Sequence, residues 1–142
     1  MDRPIGKKSY NSINHLLGSK LGKADRYINQ GQHDILTQKS KGGIVYVSEK
    51  YDGSNGAIAN VNNHIIPLTR SGFNAFSSEY LHHLKFAKWC DANKNKLSRI
   101  IPNNTRLCVE ILSRVHSLKY ESNQTELVAF DLIDNRTNER LS

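Results

Sequence analysis

The chain has 142 residues and a mass of 16.1 kDa, with 37% hydrophobic and 23% charged residues. This fits one domain with one core and excludes a collagen-like or low-complexity chain. Twenty Lys and Arg against 13 Asp and Glu leave a net charge of +7, which favours a polyanionic partner such as nucleic acid or nucleotide; a basic surface that serves only solubility gives the same count. No stretch reaches the roughly 18 apolar residues of a membrane span. Met1-Asp2-Arg3-Pro4 opens no apolar signal segment, so the expected location is cytoplasmic. Cys90 and Cys108 have no metal-type spacing and are expected as buried thiols in a reducing compartment.

Residues 1–43 are polar and punctuated by Gly18, Gly22 and Gly31, which reads as a loop-rich segment with one short helix at most. Ser40-Lys41-Gly42-Gly43 reads as a turn, and Ile44-Val45-Tyr46-Val47 as a strand of β-formers. After the turn at Asp52-Gly53-Ser54-Asn55-Gly56, residues 57–61 and 64–69 read as two strands. Asn62-Asn63 suits a two-residue hairpin between them, because Asn tolerates positive φ. Pro67 cannot donate to a ladder, which puts the second strand at an edge.

Residues 77–98 read as one helix, capped by Ser77 or Ser78, with Tyr80, Leu84 and Ala87 at helical spacing. Pro102-Asn103-Asn104 breaks the chain, and residues 107–112 and 127–133 read as two further strands. The expected class is α+β, with a largely antiparallel sheet and at least one packed helix. The 142 residues would form a single domain.

Chemistry concentrates in Glu49-Lys50-Tyr51-Asp52-Gly53-Ser54-Asn55. A lysine held in a cleft can lose its proton and attack an electrophile. Lowering the pKa of a lysine by three units costs about 4 kcal/mol, so such a site must be built for the purpose. Gly53 lets backbone approach a ligand closely. The same residues also read as a hairpin-end lysine paired with Asp52, with Gly53 only turning the chain.

Four segments in order resemble the covalent nucleotidyltransferases, the ligases and capping enzymes that share a Lys-x-Asp-Gly signature. Lys50-Tyr51-Asp52-Gly53 resembles their motif I, Thr69-Arg70-Ser71-Gly72 motif Ia, Val109-Glu110-Ile111 motif III, and Val128-Ala129-Phe130-Asp131-Leu132 motif IIIa. The spacing and the Ala-Phe-Asp form are most similar to a bacterial and phage family of RNA ligases. The resemblance implies a fold of the ligase adenylylation type and transfer of AMP from ATP to Lys50. AMP would then pass to an RNA 5′-phosphate, for joining to a 3′-hydroxyl. By the same resemblance the Glu49 backbone meets the adenine edge, and Asp52 orients Lys50 or the nucleotide. Gly53 and Asn55 lie against the nucleotide, Arg70 binds its ribose or phosphate side, Glu110 accepts from ribose hydroxyls and Phe130 stacks on the base. Magnesium or manganese is implied, with no ligand assigned. A DNA ligase, a GTP-using capping enzyme and a non-catalytic binding module are the alternative readings. Phe130 as plain core, and Arg70 and Glu110 as solvated charges, are the corresponding structural readings.

Nothing after Asp131 matches the motifs IV and V that follow in the superfamily. The expectation is a C-terminally incomplete sheet, finished by more chain or by a partner, with an exposed edge open to self-association. His82 and His83, adjacent on a helix, are expected to point about 100° apart and to share no site. Lys85, Lys88, Lys96 and Arg99 read as a solvated basic face, and His116, with Arg114 and Lys119, as part of a loop or strand end.

Overall fold

The computed structural model describes residues 2–39, 43–112 and 126–141. It divides into two compact units, Asn11–Lys50 and Met1–Tyr10 with Tyr51–Ser142. The expected turn over residues 40–43 falls largely outside the described residues, and so do Arg114, His116 and Lys119.

In the Asn11–Lys50 unit, helix α1 spans Gln30–Thr37. Asn29 starts it with a capping box: its side chain accepts from the Gln32 amide at 2.8 Å, and the Gln32 side chain accepts from the Asn29 amide at 3.4 Å. A bridge between His15 and Tyr27 organises the loop before it, helped by a 2.7 Å bond from the Tyr27 hydroxyl to the Ser19 carbonyl. The expected strand at Ile44-Val45-Tyr46-Val47 is absent. The backbone there is irregular, and Tyr46 and Val47 are about nine-tenths exposed (89% and 92%). β-Branched side chains favour a strand only where a neighbouring strand and a packed face receive them.

The larger unit is an antiparallel sheet in the order β2-β1-β3-β4-β5. Its strands are β1 (Ser54–Val61), β2 (His64–Thr69), β3 (Thr105–Ile111), β4 (Leu127–Asp134) and β5 (Arg140–Leu141). Asn62 and Asn63 turn the β1–β2 hairpin with φ of 51° and 65°, the left-handed pair that a two-residue turn requires. Pro67 sits on β2, an edge strand, as expected.

Alternation along the strands makes two faces. Ile58, Val109 and Ile111 meet Phe86, Ala87, Cys90, Leu97 and Ile101 from the helical layer. On the opposite face Ala57, Ala59, Leu68, Cys108 and Ile133 are covered by Ile5 and Tyr10 of the N-terminal segment. Arg106 is buried on this second side. Its Nε donates to the Ser9 carbonyl at 2.7 Å, and its Nη atoms reach the side chains of Asn135 and Asn138. It therefore ties the N-terminal segment to the β4–β5 turn. In that turn the Asp134 carboxylate accepts from the Arg136 and Thr137 amides at 2.7 and 2.8 Å, which holds its carboxyl below the usual range.

The single helix expected over residues 77–98 is three shorter pieces. A 3₁₀ turn spans Ala75–Ser77, α2 spans Leu81–Ala92 and α3 spans Lys94–Ile100. Asn74, not Ser77 or Ser78, caps the first piece, accepting from the Phe76 amide at 3.0 Å. Tyr80 stands at the cap of α2 with no side-chain bond. The break falls at Asn93, whose side-chain amide donates to the Trp89 carbonyl at 2.8 Å. Asn competes with the backbone for such carbonyls and so interrupts helices. Lys85, Lys88, Lys96 and Arg99 are all exposed, as a solvated face requires.

Candidate functional site

Gly53, Asn55, Arg70 and Glu110 lie at the end of the sheet where β1 begins. Asn55 pairs with Glu110 across the β1–β3 ladder, and Glu110 pairs with Val128 on β4. Val109 and Ile111 point into the helix-packed core, so strand alternation places Glu110 on the other face, where it is half-buried. Its Oε1 accepts from the Gly53 amide at 3.1 Å. Gly53 is required sterically: a Cβ there would lie 2.4 Å from the Ile111 carbonyl oxygen.

Asn55 Oδ1 and Thr69 Oγ1 are buried, with no hydrogen-bond partner among the described residues. Buried polar atoms are rarely left so, and both lie at this same end, Thr69 pairing with Gly56 next to Asn55. Arg70 follows Thr69 with an exposed side chain, and its carbonyl accepts from the Ser9 amide at 3.1 Å. The loop after it closes with the Thr69 amide donating to the Phe73 carbonyl at 2.8 Å. Asp52, just before Gly53, is half-buried.

Phe130 is not core. It is 43% exposed, and it is the extra residue of a β-bulge: Cys108 pairs with Asp131 and Val109 with Ala129, leaving Phe130 unpaired. Bulges re-aim side chains in this way. Tyr10 meets Phe130 edge to face, with ring centroids 5.2 Å apart. The Tyr10 hydroxyl donates to Asp131 Oδ2 at 2.5 Å and accepts from Arg140 Nη2 at 2.6 Å, while Arg140 Nε lies 3.2 Å from the same carboxylate oxygen. Burial and the bond to Asp131 push the Tyr10 hydroxyl up to about 12, so it stays a proton donor.

Glu49 and Lys50 end the Asn11–Lys50 unit, both exposed on irregular backbone. Both cysteines are buried, and burial raises Cys90 to about 12 and Cys108 to about 11, which makes them inert thiols. The His82 and His83 rings do not diverge as expected but lie with centroids 4.2 Å apart. Ser78 Oγ is 2.7 Å from His83 Nδ1, a bond that ties the turn to α2, while burial and the neighbouring His82 lower the His83 pKa. Among the described residues no group of three or more His, Cys, Asp or Glu could hold a metal ion.

Phe130 stands out in the sequence, whereas Tyr10, Arg140 and Asp131 carry no mark of a shared role there. No local signal marks a tyrosine that works 121 residues from its partner.

The fold is α+β, with a five-stranded antiparallel sheet among the described residues. A family model for RNA ligases matches residues 43–142. That stretch covers more than two thirds of the chain and includes Lys50, Arg70, Glu110 and Phe130. The chain belongs to the RNA ligase family. Comparisons with curated proteins and with solved structures gave no match. No helix among the described residues is long and apolar enough to cross a membrane.

Proposed function

We propose that the chain carries the nucleotide-binding and lysine-adenylylation chemistry of an RNA ligase. In the first step Lys50 Nζ, having lost a proton, attacks the α-phosphorus of ATP. A phosphorus–nitrogen bond forms, the bond to the β-phosphate oxygen breaks, and pyrophosphate leaves. AMP then passes to the 5′-phosphate of an RNA end, and a 3′-hydroxyl displaces it.

The observation that carries this reading is the bond from the Gly53 amide to Glu110 Oε1 at 3.1 Å. It joins the glycine that follows the lysine in the Lys-x-Asp-Gly signature to the glutamate expected at the ribose. Asn55 supplies a buried acceptor beside that bond. Arg70, with its planar fork, would take the phosphate or ribose side. Phe130 would stack on adenine, worth about 1–3 kcal/mol by the scale of base–aromatic stacking. The Glu49 backbone and Asp52 complete the proposed nucleotide contacts. Magnesium or manganese, when bound, would neutralise the triphosphate. No residue here is assigned to it, and no step is routed through it.

Intact-mass spectrometry after incubation with ATP and magnesium tests the proposal, beside a Lys50→Ala control. The expected result is an adduct of one AMP on the native chain and none on the control. A folded chain that takes up no AMP, or an adduct that survives Lys50→Ala, overturns Lys50 as nucleophile. GTP in place of ATP is expected to give no adduct.

A further inference from the structure

We propose that Tyr10 is a positioning residue for nucleotide recognition. Held by Asp131 and Arg140, it fixes the Phe130 ring as a preformed platform for a purine base. The inference rests on the reading of Phe130 as the base-stacking residue, and extends it to three residues that reading does not use.

Phe130 is the unpaired residue of the bulge in β4, so the ladder does not fix its side chain. It is 43% exposed, so the core does not fix it either. A free aromatic ring in such a place would sample several rotamers, and ordering it on binding would cost affinity. Tyr10 supplies the missing restraint. The rings meet at 84°, an arrangement aromatic pairs favour. Whichever ring presents its edge, Tyr10 leaves at least one face of Phe130 uncovered.

Tyr10 is itself held on three sides. Ser9, the residue before it, donates its amide to the Arg70 carbonyl at 3.1 Å and its hydroxyl to the Thr69 carbonyl at 2.6 Å. The Tyr10 hydroxyl closes a triangle with Asp131 and Arg140, whose three contacts are 2.5, 2.6 and 3.2 Å. Asp131 directly follows Phe130 in the chain, so the triangle holds the side chain next to the bulge. Arg140 comes from β5, which among the described residues pairs with Leu132 and Ile133 of β4, the two residues after Asp131. The shortest strand of the sheet thus delivers one guanidinium to this triangle. A packing role alone would need the Tyr10 ring but not the hydroxyl network.

The test measures affinity for ATP and for inorganic tripolyphosphate, which has no base, by isothermal titration calorimetry. The variants are Phe130→Ala, Tyr10→Ala, Tyr10→Phe and the double variant Tyr10→Ala/Phe130→Ala. Phe130→Ala is expected to weaken ATP about tenfold, within the range of one lost stacking contact. Tyr10→Ala is expected to weaken ATP about fivefold, and Tyr10→Phe, which keeps the ring and loses the hydroxyl, about twofold. Tripolyphosphate affinity stays unchanged throughout. The double variant should bind ATP no worse than Phe130→Ala alone, because a residue acting through another has nothing left to position. If Phe130→Ala weakens ATP but both Tyr10 variants bind normally, or if the two losses multiply, the positioning role is wrong while the stacking reading survives. If Phe130→Ala binds ATP as tightly as the native chain, both fall together. Tyr10→Phe retains the packed ring and keeps the test open should Tyr10→Ala fail to fold.

Discussion

The amide of Gly53 donates to Glu110 Oε1 at 3.1 Å, and these two residues come from opposite sides of the β1–β3 ladder. Gly53 precedes the first ladder residue, Ser54, which pairs with Ile111 beside Glu110. The bond fixes the glycine turn to the third strand at the point where a nucleotide ribose is proposed to lie.

Gly53→Ala introduces a Cβ that meets the Ile111 carbonyl oxygen at 2.4 Å and the Leu112 side chain at 3.0 Å. Backbone on a central ladder cannot give way cheaply, so a loss of about 1–3 kcal/mol is expected, in the range of overpacking. Urea denaturation would measure it. Lys50 adenylylation should fall in parallel, because the turn must move away from Glu110.

Asn55→Ala separates stability from function. Asn55 Oδ1 is a buried acceptor with no partner among the described residues. Removing such an atom relieves a desolvation penalty. The thermal midpoint is therefore expected to hold or rise, while ATP affinity falls several-fold. A melting curve and a calorimetric titration on the same preparation check both halves.

Arg106→Lys keeps the charge and loses the fork. Arg106 spans the Ser9 carbonyl and the Asn135 and Asn138 side chains, and one ammonium cannot reach all three. The unfolding free energy should drop by about 2–3 kcal/mol, as expected when buried hydrogen bonds to a charged group are broken. Chemical denaturation monitored at Trp89 and by circular dichroism would record the loss.

Tyr10 gives the protein an alkaline limit. Its hydroxyl is raised from 10.0 to about 12 in the folded state, so the unfolded chain releases this proton first. The stability it contributes is whole below pH 10 and disappears as pH rises toward 12. Ultraviolet titration of the tyrosines should show a late ionisation that is missing from Tyr10→Phe. The alkaline melting curves of the two proteins should converge near pH 12.

What could be read from the sequence was local. Asn62-Asn63 announced a hairpin because both residues tolerate positive φ, and Pro67 announced an edge because it lacks a donor. The face taken by Glu110 followed from its place between Val109 and Ile111. What escaped depended on partners far along the chain. Ile44-Val45-Tyr46-Val47 has strand propensity but no strand beside it, and propensity alone does not build a ladder. The break at Asn93 turns on one side-chain bond to the Trp89 carbonyl. Plain core stayed an alternative for Phe130, because the bulge that turns it outward is a property of two strands together. Tyr10 carried no sign of its role, since Asp131 and Arg140 lie at the other end of the chain.

The β3–β4 ladder needs nothing from position 130. Were that residue excised, Asp131 would still face Cys108 and Ala129 would still face Val109, with every pair on either side keeping its partner. The shortened strand would be the more regular one, and by the measure of folding alone the better one. The spare aromatic in the middle of the sheet serves the ladder in no way that its register requires. If Phe130 stacks on adenine as proposed, excision is expected to leave a well-ordered protein that binds ATP more weakly than the native chain.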